Sequence, residues 1–142
     1  MSNSIRLIIH FQIYWFLYIM SSWGYHLILD CAGCIPHKIR CPQNINQFAK
    51  SLVKNIDMVA YGEPQVVMFG SGNKKGYTLV QLIETSNITA HFVEETNDVY
   101  IDVFSCKPFN EKDVDRVVLE FFGPLRQKSS YLVRQAPREQ LR

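Results

Sequence analysis

A series of closely spaced segments that alternate apolar and polar residues, with two amphipathic segments of helical period, constrains the fold of this chain most strongly. The period of two predicts strands at 24–33, 64–69, 77–84 and 99–106, with the further segment 88–95 lying between the last two. Glycines make 70–76 a loop or hairpin, and residues 96–98 form a tight turn. The close spacing of these strands favours hairpin connections and therefore antiparallel pairing.

The two helical segments are 43–58 and 110–123. The first places five apolar residues on one face, namely Ile45, Phe48, Leu52, Val53 and Ile56. In the second, Asn110 is suited to cap the start, and Gly123 followed by Pro124 ends the helix. The order of elements predicts an α+β fold, a two-layer sandwich in which two helices pack on one face of a largely antiparallel sheet. A length of 142 residues favours one domain, which we expect to span 23–124.

Composition narrows the class of function. Hydrophobic residues make up 47% of the chain, enough for a real core, and the net charge of +2 is too small to indicate a nucleic-acid partner. Four cysteines with uneven spacing, Cys31, Cys34, Cys41 and Cys106, favour reduced thiols and a cytoplasmic location. The segment "CAGCIPHKIRC" also offers His37 to a zinc ion, but its spacing is tighter than common zinc motifs. We therefore expect buried thiols and no metal.

Both ends of the chain differ from the central domain. Residues 1–22 contain the apolar run "IRLIIHFQIYWFLYIM", which is shorter than the roughly 20 residues of a membrane span and lacks a signal-peptidase site. Three interpretations stay open: a membrane anchor, a helix packed on the domain or a partner chain, or a true start at Met20. We expect no membrane association. Residues 125–142 are rich in arginine and lysine, which predicts a mobile basic tail able to dock onto an acidic surface.

The segment "ETSNITAH" holds the candidate site residues. Ser86 lies in its middle, His91 follows five positions later, and Cys106 ends "DVFSC" fifteen positions after His91. On local pattern alone Ser86 is a turn serine. The chain lacks the G-x-S-x-G motif of serine hydrolases around Ser86, and "GSGNKKG" does not match a phosphate-binding loop.

Three motifs, in order and with matched spacing, change this interpretation: "GYHLILDCAGC", "SNITAH" and "DVFSC". From Gly24 to Pro124 they make the chain resemble the small bacterial and archaeal S-adenosylmethionine decarboxylases, which are pyruvoyl enzymes. The resemblance implies a lyase of polyamine biosynthesis, made as a zymogen, that decarboxylates S-adenosylmethionine for spermidine synthesis.

The same resemblance implies a role for each site residue. Ser86 Oγ would attack the carbonyl of Thr85, the chain would be cleaved between 85 and 86, and residue 86 would become the pyruvoyl cofactor. His91 would remove the α-proton of Ser86, and Thr78 would assist with its hydroxyl. Cys106 would return a proton to the substrate Cα after carbon dioxide leaves. Since these four side chains lie on neighbouring predicted strands, we expect them to form one cluster.

The resemblance also implies the partners. The expected substrate is S-adenosylmethionine, and the cleaved protomers are expected to form a symmetric homodimer in which sites can be shared between protomers. Phe69 and Phe92 are candidates to contact the sulfonium and adenine, because both favour aromatic faces. Glu95, or its neighbour Glu94, is the candidate for the ribose or a cationic group.

Departures from the family pattern leave alternatives open. The family has Glu and His where this chain has Thr85 and Asn87, and "HFVEE" lacks the family's Trp and Pro. The nucleophile, base and acid are retained, so we expect processing. The alternatives are a pyruvoyl-dependent decarboxylase of arginine or ornithine, and an unprocessed, non-catalytic regulatory homologue.

Overall fold

The computed structural model describes residues 22–137. The strands in this range are β1 (Gly24–Ala32), β2 (Ala60–Phe69), β3 (Gly76–Ile83), β4 (Ser86–Val93), β5 (Asp98–Ser105) and β6 (Arg126–Arg134). The helices are α1 (Pro36–Ile39), α2 (Pro42–Asn55) and α3 (Glu111–Phe122), with a short 3-10 turn at Gly72–Lys74. No helix within these residues is long and apolar enough to cross a bilayer. The predictions for the apolar N-terminal run lie outside this range.

The six strands form one sheet in the order β2-β3-β4-β5-β1-β6, and every neighbouring pair is antiparallel. The tight hairpins β2–β3, β3–β4 and β4–β5 explain most of this order. The first strand, β1, pairs with β5 on one side and with β6 on the other. The predicted α+β class and antiparallel sheet are confirmed.

One face of the sheet carries α2 and α3 and holds the core. Side chains on this face alternate along each strand, as Leu27 and Leu29 do on β1, and they are fully buried. Phe122 of α3 joins the two layers, since its ring centroid lies 4.6 Å from that of Phe48 on α2 and 5.2 Å from that of Phe92 on β4. Burying rings of this size supplies much of the hydrophobic stabilisation of a small domain.

The opposite face, which we call the open face, presents the alternate residues of every strand. Those relevant below are Val67, Phe69, Thr78, Leu82, Asn87, Thr89, His91, Tyr100, Asp102, Phe104, His26 and Leu132. Several are large apolar side chains that remain substantially exposed. An antiparallel sheet with one solvated face normally places polar residues there, so the apolar residues of the open face form an unusual exposed surface.

The predicted mobile tail is wrong for Arg126–Arg134, which form β6 and pair with the whole of β1. The N–H of Leu125 donates to the carbonyl of Ala32 at 3.0 Å and leads the chain into this pairing. Tyr131 anchors the strand, since its hydroxyl donates to the carbonyl of Phe109 at 3.1 Å. The basic side chains that suggested a tail belong instead to an edge strand, where charge discourages further pairing.

Local predictions for the helices are confirmed. The Asn110 side chain accepts a hydrogen bond from the N–H of Lys112 at 3.1 Å, and Gly123 ends α3 with a φ of 54°. Cys31 and Cys34 are buried beside the core, and burial raises the pKa of their thiols to about 11 and about 12. Within residues 22–137 no three His, Cys, Asp or Glu side chains are grouped to hold a metal ion.

Candidate active site

Ser86 is the first residue of β4 and follows the two-residue turn, Glu84 and Thr85, that joins β3 to β4. Two-residue hairpins favour Gly, Asn or Asp, which accept a positive φ. This turn has none of them, and the positive φ falls on Ser86, at 154°. A side-chain-bearing residue in this region costs of order 1–3 kcal/mol. Strain is therefore stored at the peptide bond where cleavage is expected.

The carbonyl of Thr85, the expected point of attack, is already held by a donor. The backbone N–H of Cys106, just beyond the end of β5, donates to Thr85 O at 3.0 Å. Such a donor polarises the carbonyl and would stabilise the negative charge that develops on its oxygen during attack. The side-chain amide of Asn87 donates to Ser86 Oγ at 3.2 Å. The Cys106 side chain is exposed beside this carbonyl. We call Thr85, Ser86 and Cys106 the serine half-site.

The second predicted pair lies at the other end of the same hairpin. Thr78 on β3 is opposite His91 on β4, and Thr78 Oγ1 lies 2.7 Å from His91 Nδ1, a hydrogen-bonding distance. The ring of Phe69 lies next to them, with its centroid 6.4 Å from that of His91. We call Thr78, His91 and Phe69 the imidazole half-site.

One chain does not bring the two half-sites together. His91 lies five positions beyond Ser86 on the continuous strand β4, which corresponds to about 16 Å at a rise of about 3.3 Å per residue. Proton transfer requires heavy atoms about 3 Å apart, or one bridging water. The expected single cluster of four residues is therefore wrong within a protomer, because the hairpin register places Ser86 and His91 toward opposite ends of the sheet.

The residues predicted to contact the substrate do not lie together either. Phe92 is fully buried against Phe122 on the helix side, so its predicted contact with substrate is wrong. Glu95 is exposed and follows the end of β4, four positions after His91. It lines a surface cleft of about 450 Å³ with Glu94 and Lys75, and Glu94 Oε2 lies 3.6 Å from Lys75 Nζ. Glu95 therefore stays a candidate for binding a polar or cationic group.

The open face also carries a polar network that was not predicted from the sequence. Arg134 Nη1 lies 3.1 Å from His26 Nδ1, and His26 Nε2 lies 2.8 Å from Asp102 Oδ1. Because arginine can only donate, Nδ1 accepts and Nε2 carries the proton given to Asp102. The Arg134 guanidinium also stacks over the ring of Phe104, 5.1 Å from its centroid. Phe104 lies opposite Asn87, so this network borders the serine half-site. His26 and Asp102 belong to two of the quoted motifs, and their shared strand face was the available signal.

Comparison with known proteins identifies the family of the chain. Residues 25–135 match the S-adenosylmethionine decarboxylase family model. The S-adenosylmethionine decarboxylase proenzyme of Pyrococcus furiosus is 29% identical over 104 residues, which cover 72% of each chain. That of Shouchella clausii is 28% identical over 95 residues, covering 67% of this chain and 70% of the relative.

A solved structure shares the fold. The crystal structure of the adenosylmethionine decarboxylase from Aquifex aeolicus matches with a TM-score of 0.70 at 21% identity, covering 85% of this chain and 98% of that one. The family match spans β1 to β6 and includes every residue of both half-sites. The chain thus belongs to the S-adenosylmethionine decarboxylase family.

Proposed function

We propose that this protein is a self-processing, pyruvoyl-dependent decarboxylase that converts S-adenosylmethionine to its decarboxylated form for spermidine biosynthesis in the cytoplasm. The observation that carries the proposal is the strained Ser86, whose preceding carbonyl accepts the Cys106 N–H at 3.0 Å. A turn serine without a function has no need of either feature. Family membership supplies the reaction class and the substrate.

Self-processing starts from these two features. Ser86 Oγ attacks the Thr85 carbonyl carbon, the peptide C–N bond breaks, and the hydroxyl proton passes to the Ser86 nitrogen, leaving an ester. Attack relieves the strain at Ser86, and the Cys106 N–H stabilises the charged oxygen. A base then removes the α-proton of residue 86, and the electron pair forms the Cα–Cβ double bond as Thr85 leaves as a carboxylate. Hydrolysis then releases the nitrogen of residue 86 as ammonia. Residue 86 is left as a pyruvoyl group at the start of the second chain.

The residues around position 86 are suited to a pyruvoyl group. The pyruvoyl carbonyl supplies a site for the substrate's amino group and accepts the electrons left when carbon dioxide departs. Cys106 is exposed where its backbone N–H already contacts Thr85 O. Its thiol is placed to give a proton to the substrate Cα at that position.

The base comes from a second protomer in this proposal. A two-fold axis lying across the strands near Thr89, midway between Ser86 and His91, reverses strand direction and packs one open face on the other. Sheets pack about 10 Å apart in this way. The partner's His91 and the partner's Thr78 then lie over the Ser86 end of β4, and the same operation builds a second identical site. The exposed apolar residues of the open face, among them Val67, Leu82 and Leu132, support this homodimer.

Substrate contacts follow from the same arrangement. Phe69 adjoins His91 on the open face and is 53% exposed, so its ring is free to contact the sulfonium or the adenine. Glu95 lines a cleft with Lys75 and Glu94 and is suited to accept hydrogen bonds from ribose hydroxyls. Both would act on the substrate of the partner's pyruvoyl group.

Denaturing intact-mass measurement of the purified protein tests the proposal. Two chains separated between residues 85 and 86, the second with a pyruvoyl end, are expected from the wild type. Ser86→Ala should stay one chain and be inactive, whereas the matched control Ser71→Ala, in an exposed loop, should be cut normally. Carbon dioxide release should occur with S-adenosylmethionine and not with arginine or ornithine. A wild-type chain that stays uncut after long incubation would contradict the proposed function.

A further inference from the structure

We propose that Ser105 is a positioning residue for self-cleavage. Its buried hydroxyl forms a hydrogen bond with the side chain of Thr85. This contact keeps the Thr85 carbonyl within hydrogen-bonding distance of the Cys106 N–H. We call Thr85, Ser105 and Met58 the hydroxyl clamp. The inference rests on the proposed function, because it concerns the residue whose peptide bond is cut.

The clamp is a connected set of hydrogen bonds, in which Ser105 Oγ also lies 3.6 Å from Met58 Sδ. The N–H of Lys107 donates to Ser105 Oγ at 3.0 Å, and Ser105 Oγ donates to Thr85 Oγ1 at 2.9 Å. Thr85 Oγ1 in turn donates to Met58 Sδ at 3.2 Å. Thioether sulfur is a weak acceptor, so the contact with Ser105 carries most of the hold on Thr85. Ser105 is fully buried at the end of β5, where a lost partner is costly.

Two consecutive residues therefore grip Thr85 at two points. Ser105 holds the side-chain hydroxyl, and the N–H of Cys106 holds the main-chain carbonyl at 3.0 Å. Two anchors on one residue fix the plane of the peptide that joins it to Ser86. A turn held at one point could rotate, release the strain at Ser86 and withdraw the carbonyl from its donor. Misplacement of reacting groups by about 1 Å can cost on the order of a hundredfold in rate.

The loop that follows α2 contacts the residues next to the clamp. Lys107 Nζ donates to both the carbonyl and the carboxylate of Asp57, each at 2.6 Å. The N–H of Glu84 donates to the carbonyl of Val59 at 3.0 Å, which ties the turn to the same loop. The ion pair is exposed and contributes little by itself. The hydrogen bond between Ser105 and Thr85 is therefore the contact to test.

The clamp uses the β-branched side chain of Thr85. Its branch crowds the carbonyl that Ser86 must reach, which would slow attack. A hydroxyl on that same branch gives Ser105 a short contact at 2.9 Å. The side chain that crowds the carbonyl therefore also provides the contact that holds it in place.

Cell-free synthesis followed by timed denaturing mass measurement gives the rate of self-cleavage for matched variants of the full chain. Thr85→Val removes the hydroxyl and keeps the shape, and we expect it to cut at least about tenfold more slowly. Thr85→Ser keeps the hydroxyl and should cut within about twofold of the wild type. Ser105→Ala should slow cleavage as Thr85→Val does. The double variant should be no slower than either single variant, since both remove the same contact.

A second readout separates positioning from folding. Hydroxylamine cleaves the ester and reports its formation. We expect less hydroxylamine-dependent cleavage in Thr85→Val, while its unfolding midpoint, measured with Ser86→Ala added to keep the chain whole, stays near that of Ser86→Ala alone. Equal cleavage rates for Thr85→Val and the wild type would overturn the clamp and leave the proposed function standing. Additive losses in the double variant would also overturn it. A wild-type chain that never cuts would overturn both.

Discussion

Co-expression of two inactive variants should restore cleavage of one of them if the site is divided between protomers. Ser86→Ala keeps the imidazole half-site and loses the nucleophile, and His91→Ala does the reverse. In a mixed dimer, Ser86 of the His91→Ala chain faces His91 of the Ser86→Ala chain, so one complete site exists. Within one chain the same two residues are about 16 Å apart on β4, too far for proton transfer.

The expected yield follows from random pairing. Equal co-expression makes about half of the dimers mixed, so about half of the His91→Ala chains should be cut. Each variant alone should remain essentially uncut, since removal of a general base costs about 10² to 10⁴ in rate. Intact mass under denaturing conditions identifies which chain was cleaved. The matched control co-expresses His91→Ala with a chain that carries both substitutions, which offers no complete site.

Three outcomes would refute this reasoning. If the His91→Ala chains stay uncut in the mixture, the two half-sites do not meet across the dimer. If His91→Ala alone cuts at the wild-type rate, His91 is not the base. If the Ser86→Ala chain is the one cleaved, the nucleophile has been misassigned.

The remaining predictions concern the fold and its thiols. Gly76→Ala should destabilise the protein by about 3 kcal/mol or more, because a Cβ there would clash with the carbonyl oxygen of Phe92. Measurement of the free energy of unfolding in urea checks this prediction. Asn110→Ala should lower that free energy by about 1 kcal/mol, since it removes the cap on the N–H of Lys112. Burial raises the pKa of the Cys31 and Cys34 thiols to about 11 and about 12, so iodoacetamide at pH 8 should label them only after denaturation; labelling of the native protein would contradict this.

The sequence predicts the fold well where its patterns are local. Apolar alternation locates five of the strands, and Asn110 and Gly123 mark both ends of α3. The sixth strand could not be recognised in this way. Only Tyr131 and Val133 in β6 are apolar residues that face the core side, and five basic residues dominate the surrounding segment. Its strand state depends on pairing with β1, which is far away in sequence and leaves no local pattern.

The sequence proposes members for the candidate site but not their geometry. The motifs supply Ser86, His91 and Cys106, but adjacency of strands does not say at which end of the sheet each residue lies. The rise per residue along "SNITAH" already separates Ser86 from His91, a constraint that the expected cluster overlooked. The burial of Phe92 and the proposed role of Ser105 depend on tertiary contacts, and such contacts have no signature in one sequence.

The position of β1 between β5 and β6 has a consequence for the cleaved protein. A cut after Thr85 assigns β1, β2 and β3 to one fragment and β4, β5 and β6 to the other. In the sheet order, β1 is then enclosed on both sides by strands of the other fragment. The fragments interlock, and pulling them apart would break three ladders of backbone hydrogen bonds together with the shared core. Cleavage should therefore leave a single particle that separates only in denaturant, and neither fragment could assemble the sheet by itself.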